Sequence, residues 1–101
     1  MNAINNLGYI YYNDLNFGKV ETVINFLENA ANKNDANAQN SLGYVYYNDF
    51  DPKVHDADKG IHYFKLSANQ NCKIAQYNLG VIYYEDKNMR NIEKSIQYFS
   101  L

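Results

Sequence analysis

The chain has 101 residues, 47% hydrophobic and 16% aromatic, with nine Lys and Arg against eleven Asp and Glu for a formal net charge of -2. That length suits one domain with a modest core. The near-balanced charge lacks the basic stripe of a nucleic-acid binder, the aromatics exclude an acidic disordered tail, and a lone cysteine, Cys72, excludes a disulfide framework.

Read in chain order, the sequence repeats itself. Leu7-Gly8-Tyr9-Ile10-Tyr11-Tyr12 returns as Leu42-Gly43-Tyr44-Val45-Tyr46-Tyr47 and as Leu79-Gly80-Val81-Ile82-Tyr83-Tyr84, at intervals of 35 and 37 residues. Self-similarity at such a period is the mark of stacked supersecondary units. The first motif predicts a helix, since Ala3, Leu7, Ile10 and Tyr11 fall at i, i+4, i+7 and i+8. A second helix follows with Val20, Ile24, Leu27 and Ala31 on one face. Asn34 stands at its exit, where left-handed backbone is tolerated, and Asp35 can cap the next helix.

The second repeat carries Ala38, Leu42, Val45 and Tyr46, then Ala57, Ile61, Phe64 and Ala68. Its inner loop holds Pro52 and is longer by two residues, since Gly43 to Tyr63 spans 20 where Gly8 to Phe26 spans 18. Length varies there because the loop is expected at the surface. Asp56 is placed to cap the following helix and Asn71 to end it. The third repeat carries Ala75, Leu79, Ile82 and Tyr83, then a cap at Asn91 and the set Ile92, Ile96 and Phe99. The prediction is all-α: six helices in three antiparallel pairs, an α-solenoid with repeats at 1–34, 35–71 and 72–101. The last is cut short, which suggests a fragment of a longer array. Gly8, Gly43 and Gly80 sit mid-helix, where glycine costs about 1 kcal/mol relative to alanine. The reading is that each first helix approaches the backbone of its partner closely, near Val23, Gly60 and Ser95.

These residues resemble the Sel-one-like repeat family, relatives of the tetratricopeptide repeat. The family pattern A-x-x-x-L-G-x-x-Y is present at Ala3 to Tyr11, Ala38 to Tyr46 and Ala75 to Tyr83. Its D-x-x-K-A opening of the second helix is approached by Asp56-x-x-Lys59-Gly60 and Asn91-x-x-Lys94-Ser95, and its closing alanines by Ala30-Ala31. The family's G-x-G-V loop is absent, as are the paired cysteines of its secreted members. The resemblance implies a right-handed superhelix acting as an adaptor or scaffold for other proteins. It also implies that Tyr11, Tyr46 and Tyr83 are structural. The alternative is a regulatory segment of a larger enzyme such as a kinase.

A stripe beside the apolar face of each first helix holds Asn5, Tyr9 and Tyr12, then Asn40, Tyr44 and Tyr47, then Tyr77, Val81 and Tyr84. One reading is a concave tyrosine-rich groove for a peptide or helix, a task that suits large side chains with a polar tip. The other is packing between repeats. Asp51, His55, Asp58 and His62 cluster around the middle loop, and Asp58 with His62 is a conceivable metal pair, but no third ligand is indicated. Cys72 has no fixed acid or histidine partner in the sequence. No catalytic residue, cofactor or metal is therefore assigned. The expected partner is a protein, with neither nucleic acid nor membrane, and with weak self-association through uncapped ends. No run approaches the ~18 apolar residues of a membrane helix, no basic-then-apolar leader precedes Tyr12, and the expected compartment is the cytoplasm.

Overall fold

Capping and turn chemistry set the helix boundaries. In a computed structural model of the chain, which describes residues 20–49, 52–87 and 90–101, five helices are present: α1 Val20–Asn32, α2 Ala36–Asn48, α3 Ala57–Ala68, α4 Lys73–Glu85 and α5 Ile92–Phe99. No strand occurs among the described residues. The helix expected around Ala3, Leu7, Ile10 and Tyr11 lies outside them. Asp35 Oδ1 accepts from the Ala38 amide, Asp56 Oδ1 from Lys59 and Asn91 Oδ1 from Lys94, all at 3.0–3.1 Å. Each side chain satisfies an amide that the first helical turn leaves unpaired. Asn34 and Asn71 adopt φ of 67° and 65°, so both exits are left-handed, as their residue type allows.

Two hydrophobic clusters hold the helices together, and each straddles a repeat boundary. The first joins Val23, Ile24, Leu27 and Ala31 of α1 to Ala38, Leu42, Val45 and Tyr46 of α2. The second joins Ile61, Phe64 and Ala68 of α3 to Ala75, Leu79, Ile82 and Tyr83 of α4. The helical spacing of these residues puts them on one face, and burial of that face drives the pairing. The set expected on α5 behaves differently: Ile92, Ile96 and Phe99 are exposed, because no described helix covers that face.

Within a repeat the helices meet through small residues. A Cβ built on Gly60 of α3 would stand 2.9 Å from both the Gly43 carbonyl oxygen and the Tyr47 amide nitrogen, so here two backbones do approach closely. At the matching place in the third repeat, the Ser95 hydroxyl donates to the Gly80 carbonyl at 2.9 Å. The reading of Gly43 and Gly80 themselves needs correction. What fills the space beside them is an aromatic ring, Phe64 for Gly43 and Phe99 for Gly80, rather than backbone. The missing side chain makes a flat bed for the ring.

The paired helices are also tied by cations on aromatic faces. Lys59 Nζ lies 4.7 Å from the centroid of the Tyr46 ring, and Lys94 Nζ lies 5.2 Å from that of Tyr83. Tyr63 stacks on Tyr46 and Tyr98 on Tyr83, with centroids 5.9 and 5.8 Å apart. The lysine of D-x-x-K thus completes an aromatic stack on the preceding helix, an arrangement favoured by the ring quadrupole. Both tyrosines are buried, the structural role expected of them.

Candidate protein-binding surface

The tyrosine stripe divides in two. On α4, Tyr77 and Tyr84 are 61% and 54% exposed. The Tyr77 ring leans against Phe99 at a centroid distance of 5.8 Å, and the Arg90 guanidinium stands 5.8 Å from the Tyr84 centroid. On α2, Tyr44 and Tyr47 are half-buried and pack against the second cluster. The Tyr47 hydroxyl donates to the Asp86 carboxylate at the end of α4. Burial, and next this bond to an anion, push the Tyr47 phenol far above its ordinary pKa. Asn40 and Asn78 join the two rows, Nδ2 of Asn78 donating to Oδ1 of Asn40 at 3.2 Å. Asn5, Tyr9 and Tyr12 lie outside the described residues.

Chemically, this face offers two open aromatic rings, one guanidinium and a pair of side-chain amides. It can bury apolar area and bond a partner's backbone. The sequence did not single out Asp86 or Arg90. A signal for Asp86 existed: the tyrosine pair is followed two residues on by an acid at Asp14, Asp49 and Asp86. Nothing comparable marks Arg90.

A second polar constellation ties the helix ends. Gln70 Nε2 donates to Gln39 Oε1 at 2.9 Å and to the Asn34 carbonyl at 3.0 Å, while Gln39 Nε2 donates to the Ala31 carbonyl. One repeat later, Gln76 Nε2 donates to the Ala68 carbonyl at 3.2 Å, but its buried Oε1 has no hydrogen-bond partner. Ser67 ties the two helices of the second repeat by donating to the Ala36 carbonyl at 2.7 Å.

The polar residues of the middle loop do not converge. His62 stands edge-on to Tyr63, and Asp51 lies outside the described residues. Among the described residues no three of His, Cys, Asp and Glu come together as a metal would need. Cys72 precedes α4, half-buried against the second cluster.

Stacked antiparallel helix pairs that repeat the same caps, glycine beds and tyrosine stacks define an α-solenoid. The Sel1 repeat model matches residues 2–35, 36–72 and 73–101. The chain belongs to the Sel1 repeat family, whose repeats are non-catalytic protein-interaction modules. No curated protein matches the chain. No helix among the described residues is long and apolar enough to cross a membrane.

Proposed function

We propose that the chain is a cytoplasmic adaptor or scaffold module that holds a protein partner on a concave, tyrosine-rich face of a right-handed superhelix. The single observation that carries this is the exposure of two tyrosines, Tyr77 and Tyr84, on one side of α4. Tyrosines that only pack between repeats are covered, as Tyr46 and Tyr83 are. Asn40, Tyr44 and Tyr47 form the adjoining row, and Asn5, Tyr9 and Tyr12 continue it by sequence register. Tyr44 and Tyr47 double as packing residues, so the open pair on α4 is the cleaner probe of binding.

Tyrosine is among the residues that carry most energy at interfaces, and truncating one at a hot spot costs ~2 kcal/mol or more. The test is affinity capture on the immobilised chain, followed by pairwise titration of each captured protein against wild type, Tyr77→Ala and Tyr84→Ala. Both variants are expected to keep the wild-type melting temperature and to weaken binding by roughly tenfold or more. Unchanged affinity in both would place the binding surface elsewhere.

A further inference from the structure

We propose that Lys65 and Lys94, gathered on the Tyr83 ring where the second repeat meets the third, form a docking site for an acidic peptide segment of a partner protein. The site uses neither Tyr77 nor Tyr84, so it stands or falls apart from the tyrosine stripe.

The inference rests on two equivalent junctions that differ in one charge. At the first, Tyr46 of α2 stacks on Tyr63 and carries Lys59 Nζ 4.7 Å from its centroid. Glu28 of α1 supplies a carboxylate beside them. Burial and then the Glu28 charge raise the pKa of Tyr46, and the Tyr46 hydroxyl and then Glu28 raise that of Lys59. At the second, Tyr83 of α4 stacks on Tyr98 and carries Lys94 Nζ at 5.2 Å. Glu28 follows Ile24 by four residues, and the residue in that place after Ile61 is Lys65. Its Nζ lies 6.0 Å from the same Tyr83 centroid. A place held by an acid at one junction is held by a second cation at the next.

Like charges so gathered repel unless an anion joins them. No aspartate or glutamate stands three or four residues from either lysine, the spacing at which a helix pairs its side chains. Glu93 beside Lys94 has its match in Asp58 beside Lys59, so it does not distinguish the junctions. The first junction shows the chemistry that completes the set, a carboxylate, and at the second a partner supplies it. The place is open: Lys94 is exposed and Lys65 half-buried. Lys59, the counterpart of Lys94 with a further repeat stacked behind it, is exposed as well, so stacking leaves this face uncovered.

Fluorescence anisotropy of a dye-labelled oligoglutamate peptide at low salt, with oligoglutamine as reference, tests this on the full chain. The formal net charge is -2, so bulk attraction does not draw the peptide in. Wild type is expected to bind oligoglutamate alone, and more weakly as salt rises. Lys65→Glu restores the charges of the first junction and is expected to weaken binding roughly tenfold or more. Lys33→Glu, at an exposed position, makes the same change of charge and is expected to leave binding unaltered. Glu28→Lys builds the lysine pair at Tyr46 and is expected to add a second site, read as more peptide bound at saturation. Circular dichroism checks folding, and if Lys65→Glu loses helical signal, Lys65→Gln and Lys94→Gln take its place. Tyr77→Ala and Tyr84→Ala are expected to bind the peptide like wild type, whatever they do to captured proteins. Wild type that binds no oligoglutamate overturns the proposal. So does equal weakening by Lys33→Glu and Lys65→Glu, or inorganic phosphate bound at the lysines where the peptide is not, which would make this a phosphate site.

Discussion

Gly43 and Gly80 occupy the same place in successive repeats, yet their neighbours differ in freedom. A Cβ on Gly43 would stand 2.6 Å from Cδ1 and 2.9 Å from Cγ of Phe64, a ring that is fully buried. On Gly80 it would meet Phe99 as closely, but that ring is half in solvent and can swing aside. Alanine gains about 1 kcal/mol of helix propensity at either site, against an overpacking cost of ~1–3 kcal/mol where the neighbour cannot move. Gly43→Ala is thus expected to destabilise in urea unfolding, and Gly80→Ala to be neutral or stabilising. The two glutamines make a second contrast. Gln39 is bonded through both ends of its amide and Gln76 through one. Gln39→Leu should cost more than Gln76→Leu, by about 1 kcal/mol, since it also loses the bond from Gln70, whose amide keeps the Asn34 carbonyl as an acceptor. Equal losses in the same unfolding assay would mean that the Gln39–Gln70 bond adds nothing. The sequence spacing located these glycines but not the rings above them, because a helical period reports which face a residue is on and not what meets it.

Caps were legible in the sequence because they are local. Asp35, Asp56 and Asn91 each act on an amide three residues away, and Asn34 and Asn71 turn the chain through their own φ. Lys59 on Tyr46 and Lys94 on Tyr83 were not legible, since they connect different helices. Nor does periodicity tell whether an apolar face is covered: Ile96 and Phe99 have the same spacing as Ile61 and Phe64 and opposite exposure. That difference has a dynamic consequence. Helices α3 and α5 are each capped by a side chain, yet among the described residues no helix covers the outer face of α5. Elements with few buried apolar contacts open at low free-energy cost. In hydrogen exchange at low protein concentration, amides of α5 are expected to exchange well before those of α3. Equal protection would mean that the contacts with α4, including Ser95 to the Gly80 carbonyl, suffice by themselves.

At the scale of the whole molecule, tyrosine governs the response to alkali. Burial is the first cause that raises the pKa of Tyr46 and of Tyr47, and Asp86 adds to it at Tyr47. Unfolding returns both phenols to an ordinary value near 10. Their contribution to stability is therefore fully present below about pH 10 and is lost as pH rises above it, because the unfolded chain releases protons that the folded chain keeps. Denaturation followed between pH 8 and 11 is expected to show that decline, and Tyr47→Phe to make it shallower. A slope unchanged in Tyr47→Phe would remove Tyr47 from this account. The tyrosine stripe, by contrast, was legible only as a row. Its split into covered and open members depends on Asp86, in the following repeat, and on the second cluster, which reaches into that repeat. The two clusters bear on how such a chain is taken apart. Each binds the end of one repeat to the start of the next, so the unit of sequence and the unit of cohesion are offset by half a period. A protein engineer who transplants a single repeat, α2 with α3, carries away half of each cluster and leaves both donor and recipient with raw oily edges. Moving α3 together with α4 would transfer one finished cluster intact, and the natural module for grafting begins at Asp56, in the middle of what the sequence calls a repeat.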